Sequence, residues 1–324
     1  MNAQTSLLRA ARWQPLELAF WLLAFVSPWL LSQHALIINE IAIVALFAVS
    51  LDLVLGYTGI VSLGHAAFLG FGAYSAALFA KHIHPDPLIG LCVGMVAATL
   101  LGAVCSLSIM RGSDLTRLMV TLGTALILLE LANKYSDLTG GADGLQGVLM
   151  GPLLGRFDFD LIGQVAAWYS LSVLFVLFVL ARRLVHAPLG ATLKAVRDNR
   201  LRAMAIGIPV TARLAVVYTV AAGIAGAAGA LMAQTTGFAS LDVFALDRSA
   251  DVMLMLAIGG VGWLYGGIVG AVAFKLMYDV IANITPQYWT FWIGLFLVVL
   301  VMVGRDRLIR PWTWFSAARR EGTS

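Results

Sequence analysis

Charged residues are scarce in this chain of 324 residues. Asp, Glu, Lys and Arg make up 12% of it, whereas hydrophobic residues make up 60% and the mean hydropathy is +0.90. An ordinary soluble domain is about a quarter charged, so this chain has too little charge to cover a surface that faces water. The composition therefore disfavours a soluble enzyme, a nucleic-acid-binding protein and a disordered protein.

Cysteine is almost absent, and the local signatures of metal and nucleotide binding are missing. Cys92 and Cys105 lie 13 residues apart in one apolar run, a spacing that fits neither a zinc site nor an obvious disulfide. No lysine in the chain follows a glycine, so the sequence has no P-loop for nucleotide phosphates. The sequence predicts no metal site and no cofactor bound by this chain.

Long apolar runs dominate the sequence instead. A helix needs about 20 apolar residues to cross a membrane, whereas a transmembrane barrel would show short segments of alternating polarity. The apolar stretches lie near residues 16–33, 36–56, 65–81, 88–110, 116–136, 161–181, 211–235, 248–262, 264–283 and 287–304. The predicted fold class is all-α, a polytopic transmembrane helical bundle of about 8–10 helices that forms one integral-membrane domain over residues 1–324.

Basic residues are unevenly distributed along the chain, and their distribution predicts the topology. The formal net charge of +4 is interpreted here through the positive-inside rule rather than as affinity for nucleic acid. If the tail 1–15 is cytoplasmic, the fourth and sixth crossings bring basic clusters back to the same side. The tail 305–324 is predicted to be cytoplasmic as well. Ten crossings are expected, with eight as the alternative.

The segment 56–74 contains five glycines within 17 residues, too many for an uninterrupted helix. Broken helix is tolerated inside a membrane where protein buries it or where it lines a watery cavity, and transporters use such breaks at solute sites. Thr58, Ser62 and His65 are therefore candidates for a translocation path, with close helix packing as the alternative. A serine hydrolase is disfavoured because Ile60, rather than glycine, stands two residues before Ser62.

A basic segment at 188–207 is the main polar interruption of the second half. Proline and glycine stand near both ends, and the pattern between them predicts one amphipathic helix of about 15 residues, too polar to span a membrane. This helix either rests on anionic lipid headgroups or docks on a cytoplasmic partner.

Few ionisable residues lie within the apolar runs, where they are costly unless they are paired. Lys275 and Asp279 are four residues apart on one helix face, which predicts a structural ion pair. Asp114 and Arg117 are three residues apart and are expected to pair in the same way.

Four stretches of the sequence resemble one family of membrane proteins. GYTGIVSLGHAAF at 56–68 is similar to a motif of the branched-chain amino acid ABC permeases of the membrane-subunit M type. TGGADGLQG at 139–147 resembles an outer loop of that family, and LAIGGVGWLYGGIVGA at 256–271 resembles its late glycine-rich helix pair. Residues 190–207 resemble the coupling segment of ABC-importer permeases. The sequence departs from the pattern of these permeases at Ala191, Arg200 and Gly267. These differences weaken any inference of the substrate from the family.

The resemblance implies the transmembrane permease subunit of an ABC importer for leucine, isoleucine and valine, working by ATP-driven alternating access. The chain would not be an enzyme, and partner subunits would use the ATP. The implied partners are two cytoplasmic ATP-binding subunits, a homologous second permease, an extracytoplasmic solute-binding protein and membrane lipid, without nucleic acid. The implied location is the bacterial cytoplasmic (inner) membrane, with both termini cytoplasmic.

The resemblance also implies roles for particular residues. Segment 188–207 would be the cytoplasmic coupling helix, and its coupling residues would be Gly190, Lys194, Arg197, Asp198, Arg202 and Gly207. A transported amino acid needs partners for both charged ends. Asp52 could meet its ammonium group, and N–H groups at a half-helix start could meet its carboxylate. The predicted substrate path therefore consists of Asp52, Thr58, Ser62 and His65.

Three alternatives stay open at this point. An ABC permease for urea or short-chain amides would share the glycine motifs. An ion-coupled secondary transporter would need intramembrane ionisable residues. A membrane enzyme is disfavoured because the sequence shows no catalytic constellation.

Overall fold

A computed structural model describes residues 14–110, 112–160 and 162–284, with a few short pieces between 287 and 298. The predicted tail 305–324 lies outside the described residues. Most of the predicted tail 1–15 and most of the last apolar stretch, 287–304, lie outside them too.

The described chain is almost entirely helical, with two isolated β-bridges and no named strand among these residues. Its α-helices are α1 (Pro15–Leu30), α2 (Ala35–Thr58), α3 (Ala66–His82), α4 (Pro87–Ile109), α5 (Asp114–Lys134), α6 (Ser136–Thr139), α7 (Gln164–His186), α8 (Pro188–Asp198), α9 (Arg200–Ala205), α10 (Val210–Thr236), α11 (Leu246–Gly259) and α12 (Leu264–Ile284). Short 3₁₀ turns lie at Ser32–His34, Gly141–Asp143 and Leu241–Phe244.

Six of the described helical segments are long and apolar enough to cross a membrane: Ser32–Thr58, Pro87–Ile109, Asp114–Lys134, Gln164–His186, Val210–Thr236 and Leu264–Ile281. Helices α1, α3 and α11 are shorter, at 16, 17 and 14 residues. The predicted polytopic helical bundle is confirmed. Any number of crossings beyond these six stays a prediction.

Helices α2 and α10 form the centre of the bundle. Within an apolar stretch of 18 residues, 72% of α2 and 78% of α10 is buried, whereas 22% of the corresponding stretch is buried in α4 and in α5. Small residues let α10 approach its neighbours closely. A Cβ on Gly72 of α3 would lie 2.2 Å from the carbonyl oxygen of Gly226 on α10, and one on Gly229 would lie 1.8 Å from that of Leu69. Packing of this kind replaces the hydrophobic effect as the force between helices in lipid.

The break in the glycine-rich segment is shorter than the range 56–74 that the sequence suggests. Helix α2 continues through Thr58 and ends at Gly59, whose φ of 75° is the left-handed conformation that glycine adopts without strain. Residues 59–65 are not helical, and α3 begins at Ala66. Gly70 and Gly72 lie inside α3 and serve close packing, against Phe244 and Gly226. The segment therefore contains both features that the sequence predicts, a break and a packing face.

The amphipathic segment at 188–207 is two helices, so the prediction of one continuous helix of about 15 residues is wrong. Asn199 separates α8 from α9 in an extended conformation, with φ −158° and ψ 102°. Its side chain accepts a hydrogen bond from Arg202 N at 2.9 Å. Asparagine caps a helix well because its side chain replaces the missing intrahelical acceptor, and here that cap starts a new helix.

Candidate functional site

Asp52 ties the last two turns of α2 to the turn between α11 and α12. The residue is fully buried, and its Oδ1 accepts a hydrogen bond from Gly262 N at 2.7 Å. Gly262 has a φ of 82°, which suits glycine. The contact joins residues that are 210 positions apart in the chain.

Arg197 of α8 reaches the same place from the amphipathic segment. Its Nη1 donates a hydrogen bond to the carbonyl oxygen of Gly56. A Cβ on Gly56 would lie 2.2 Å from Asp52 Oδ1 and 2.5 Å from Gly262 N, so a larger residue does not fit. Asp52, Gly56, Arg197 and Gly262 are called here the α2-end cluster. The cluster joins α2, α8 and the α11–α12 turn.

The other predicted coupling residues fall into two groups. Gly190 is buried, and a Cβ there would lie 1.8 Å from the carbonyl oxygen of Val185. Glycine is therefore needed where α7 turns into α8. The side chains of Lys194, Asp198 and Arg202 are exposed, as is Gly207. Buried Leu193, Val196 and Ala203 hold the opposite face against the bundle.

The predicted path residues other than Asp52 lie in buried packing around the break. The Thr58 hydroxyl donates to the carbonyl oxygen of Val54 at 2.5 Å. His65 is fully buried, with Nε2 2.9 Å from Ser50 Oγ, and its ring stacks on Phe47. Ser62 is buried as well.

None of Asp52, Thr58, Ser62 and His65 lines the three cavities whose walls come from α1, α2, α7 and α12, from α2, α3, α10 and α11, and from α4, α7 and the loop before α7. The hydrogen bond that Asp52 accepts comes from Gly262 N. The assignment of these four residues to the substrate path stays a prediction.

The ion pairs that the sequence predicts are present. Arg117 Nη1 lies 2.7 Å from Asp114 Oδ1, and Lys275 Nζ lies 3.5 Å from Asp279 Oδ1. Sequence reasoning missed that Glu40 is nearer to this lysine, with Oε1 2.8 Å from Nζ. The two residues are 235 positions apart, so no local spacing indicates the contact.

Comparison with known proteins identifies the family. The family described as "Branched-chain amino acid transport system / permease component" matches residues 34–303, which include every member of the α2-end cluster. The chain belongs to this family. It is therefore a multi-pass membrane permease of a transport system, in a family of transport subunits rather than of enzymes.

Curated members of the family match most of the chain. The "High-affinity branched-chain amino acid transport system permease protein LivM" of Salmonella typhimurium is 27% identical, over 91% of this chain and 74% of the relative. The Escherichia coli protein of the same name is 25% identical over the same shares. A "Probable branched-chain amino acid transport permease protein LivM" of Methanocaldococcus jannaschii is 22% identical, over 72% of this chain and 77% of the relative. No solved structure matches.

Proposed function

We propose that this chain is the transmembrane permease subunit of an ABC importer for the branched-chain amino acids leucine, isoleucine and valine. The names of its relatives support the solute class. The α2-end cluster supports coupling between ATP hydrolysis and transport, because it connects the amphipathic segment to a central helix of the bundle. The location is the bacterial cytoplasmic membrane, with both termini cytoplasmic.

Partner subunits supply the energy in this proposal. The chain has no P-loop of its own, so two cytoplasmic ATP-binding subunits hydrolyse the ATP. A homologous second permease completes the pore, and an extracytoplasmic binding protein delivers the solute. The exposed side chains of Lys194, Asp198 and Arg202 on α8 and α9 face the ATP-binding subunits.

The α2-end cluster gives the coupling a physical route. A shift of α8 moves the Arg197 guanidinium, which is hydrogen-bonded to Gly56 at the end of α2. Asp52 passes the shift to the α11–α12 turn through Gly262 N. Because packed helices rearrange between discrete states rather than deform continuously, a displacement at this cluster favours reorientation of α2 and α11 together.

Uptake of labelled leucine by cells with and without the gene tests the solute class. The deletion should abolish uptake, and in the parent strain unlabelled isoleucine should compete while urea and an aromatic amino acid should not. Competition by urea would move the assignment to urea or short-chain amides. Uptake that collapses with an uncoupler while ATP stays high would indicate an ion-coupled secondary transporter.

Co-purification tests the docking of the ATP-binding subunits. The double variant Arg197→Glu, Gly207→Leu should lose these subunits while the permease itself remains folded. A matched variant, Arg183→Glu, places the same charge reversal at the exposed end of α7 and should retain them. Full retention by the double variant would contradict the coupling assignment.

A further inference from the structure

A cavity of about 270 Å³ lies toward the other end of α2 from the α2-end cluster. Its walls come from α2, α3, α10 and α11. Glu40 in this cavity and Gly56 in the cluster are 16 residues apart on one helix, which corresponds to about 24 Å along its axis. If α8 marks the cytoplasmic face, the cavity lies in the outer half of the protein, where solute enters an importer.

Charges of both signs line this cavity. Glu40 on α2 and Asp251 on α11 are carboxylates, and Arg248, one turn before Asp251, carries a guanidinium. Asn39, Thr235 and Thr236 add neutral polar groups to the lining. Charged residues at membrane depth are costly and mark solute paths when they face a cavity. A lining with charges of both signs suits a ligand that itself carries a positive and a negative charge.

Asp251 is the carboxylate best placed to take a new cationic partner. Glu40 already bonds to Lys275 Nζ at 2.8 Å, and Arg248 bonds to Asp242 through Nε and Nη2 at 3.1 and 2.5 Å. Asp251 makes no hydrogen bond and no ion pair with any side chain in the part of the chain that the structure describes. Nη1 of Arg248 is not used by Asp242, and it can donate to an anion.

The rest of the cavity wall is apolar and matches an aliphatic side chain. Phe47, Leu69, Met232, Val252 and Met255 contribute to it. Methionine adapts its shape to different apolar ligands, which suits a site that takes several related side chains. Urea has neither a net charge nor an aliphatic group, so it would use neither the charges nor this wall.

We propose that this cavity binds an amino acid zwitterion with an aliphatic side chain. Asp251 and Glu40 bind the ammonium group, Nη1 of Arg248 binds the carboxylate, and the apolar wall holds the side chain. The site rests on the proposed function and makes its substrate class concrete. Helices α2 and α11 both run from this cavity to the α2-end cluster, so occupancy of the cavity and the position of the coupling segment act on the same two helices.

Ligand binding to the purified complex, with the solute-binding protein omitted, tests the site. The probes are leucine, 4-methylpentanoate, which lacks the ammonium, and 3-methylbutylamine, which lacks the carboxylate. The wild-type complex should be stabilised against heat by leucine and by neither analogue. Asp251→Asn should weaken leucine binding by about tenfold or more, since a hydrogen bond to a charged group is lost. Asp247→Asn, the same change at an exposed position of α11 outside the cavity lining, should bind leucine as the wild type does.

A second variant and a transport assay distinguish failure of the proposed site from failure of the proposed function. Val44→Phe fills the cavity from α2 and should abolish the leucine shift, even if Asp251→Asn fails to assemble. Val280→Phe, at an exposed position of α12, is its matched control. The site alone would be overturned if the wild-type complex transports leucine with its binding protein, but Asp251→Asn and Val44→Phe still bind leucine normally. Equal shifts for leucine and either analogue would overturn it too. A complex that neither transports nor binds leucine would overturn both proposals.

Discussion

Arg197 donates a hydrogen bond to the carbonyl oxygen of Gly56, in the last turn of α2. The final carbonyl groups of a helix have no intrahelical partner, and the negative end of the helix dipole attracts a cation there. The contact therefore satisfies an otherwise orphaned acceptor with a charged donor. It also fixes α8 to a helix at the centre of the bundle.

Loss of the Arg197 contact should uncouple transport from ATP hydrolysis. Arg197→Met keeps the length of the side chain but removes its donors, so a shift of α8 no longer reaches α2. We expect ATP-driven uptake to fall by about tenfold or more, as for the loss of a charged hydrogen bond. Arg183→Met, at an exposed position of α7 outside the coupling segment, is the control and should transport as the wild type does. Equal uptake by the wild type and Arg197→Met in proteoliposomes would show that the contact plays no part in coupling.

Gly56→Ala should destabilise the protein. Its Cβ would lie within 2.5 Å of both Asp52 Oδ1 and the backbone of Gly262, so the α2-end cluster must open. At Gly123 of α5, a Cβ meets nothing within 4 Å, and alanine there should stabilise the helix by up to about 1 kcal/mol. The melting temperature of the purified protein should fall for Gly56→Ala and hold or rise for Gly123→Ala. The opposite order would contradict the close approach.

Ser249→Ala should weaken the start of α3. Ser249 is fully buried, and its Oγ accepts a hydrogen bond from Ala66 N at 2.9 Å. Without it, the first N–H of α3 is left unpaired, which costs about 1–2 kcal/mol. Ser172→Ala removes an exposed hydroxyl that bonds only within α7 and should leave the melting temperature almost unchanged. Matching melting temperatures for the two variants would argue against the cap.

Lys275→Met should destabilise the bundle through the loss of its ion pair with Glu40. Glu40 would lose the cation that lies 2.8 Å from its Oε1, and a carboxylate that loses its partner is costly at membrane depth. Adding Glu40→Gln to Lys275→Met should recover part of the lost melting temperature because it removes this charge. A double variant that melts below the single variant would contradict this account of the network.

Helices were the part of the fold that the sequence predicted best. The apolar runs at 36–56 and 88–110 correspond to α2 (Ala35–Thr58) and α4 (Pro87–Ile109), because a membrane span must be continuous, apolar and hydrogen-bonded within itself. The break at 59–65 was predicted less well. Its position depends on which glycine adopts the left-handed conformation, and the sequence does not distinguish Gly59 from Gly70.

The sequence predicts the residues of the candidate site, but not that they lie together. It places Asp52 on the substrate path and Arg197 in the coupling segment, whereas in the structure both belong to the α2-end cluster. Arg197 binds a backbone carbonyl, and Asp52 binds a backbone N–H. Because nearly every residue type has these backbone groups, the sequence does not indicate which residues provide them. Asn199 likewise lies in a segment whose composition predicts one continuous helix, but its side chain caps a new helix.

The central claim is tested most directly by leucine uptake into proteoliposomes. These proteoliposomes contain this chain with its ATP-binding subunits, its second permease and its binding protein. We expect accumulation of labelled leucine that requires hydrolysable ATP, competes with isoleucine but not with urea, and persists when ion gradients are collapsed. Accumulation without ATP hydrolysis, or competition by urea in place of isoleucine, would contradict the assignment of this chain to an ATP-driven importer of branched-chain amino acids.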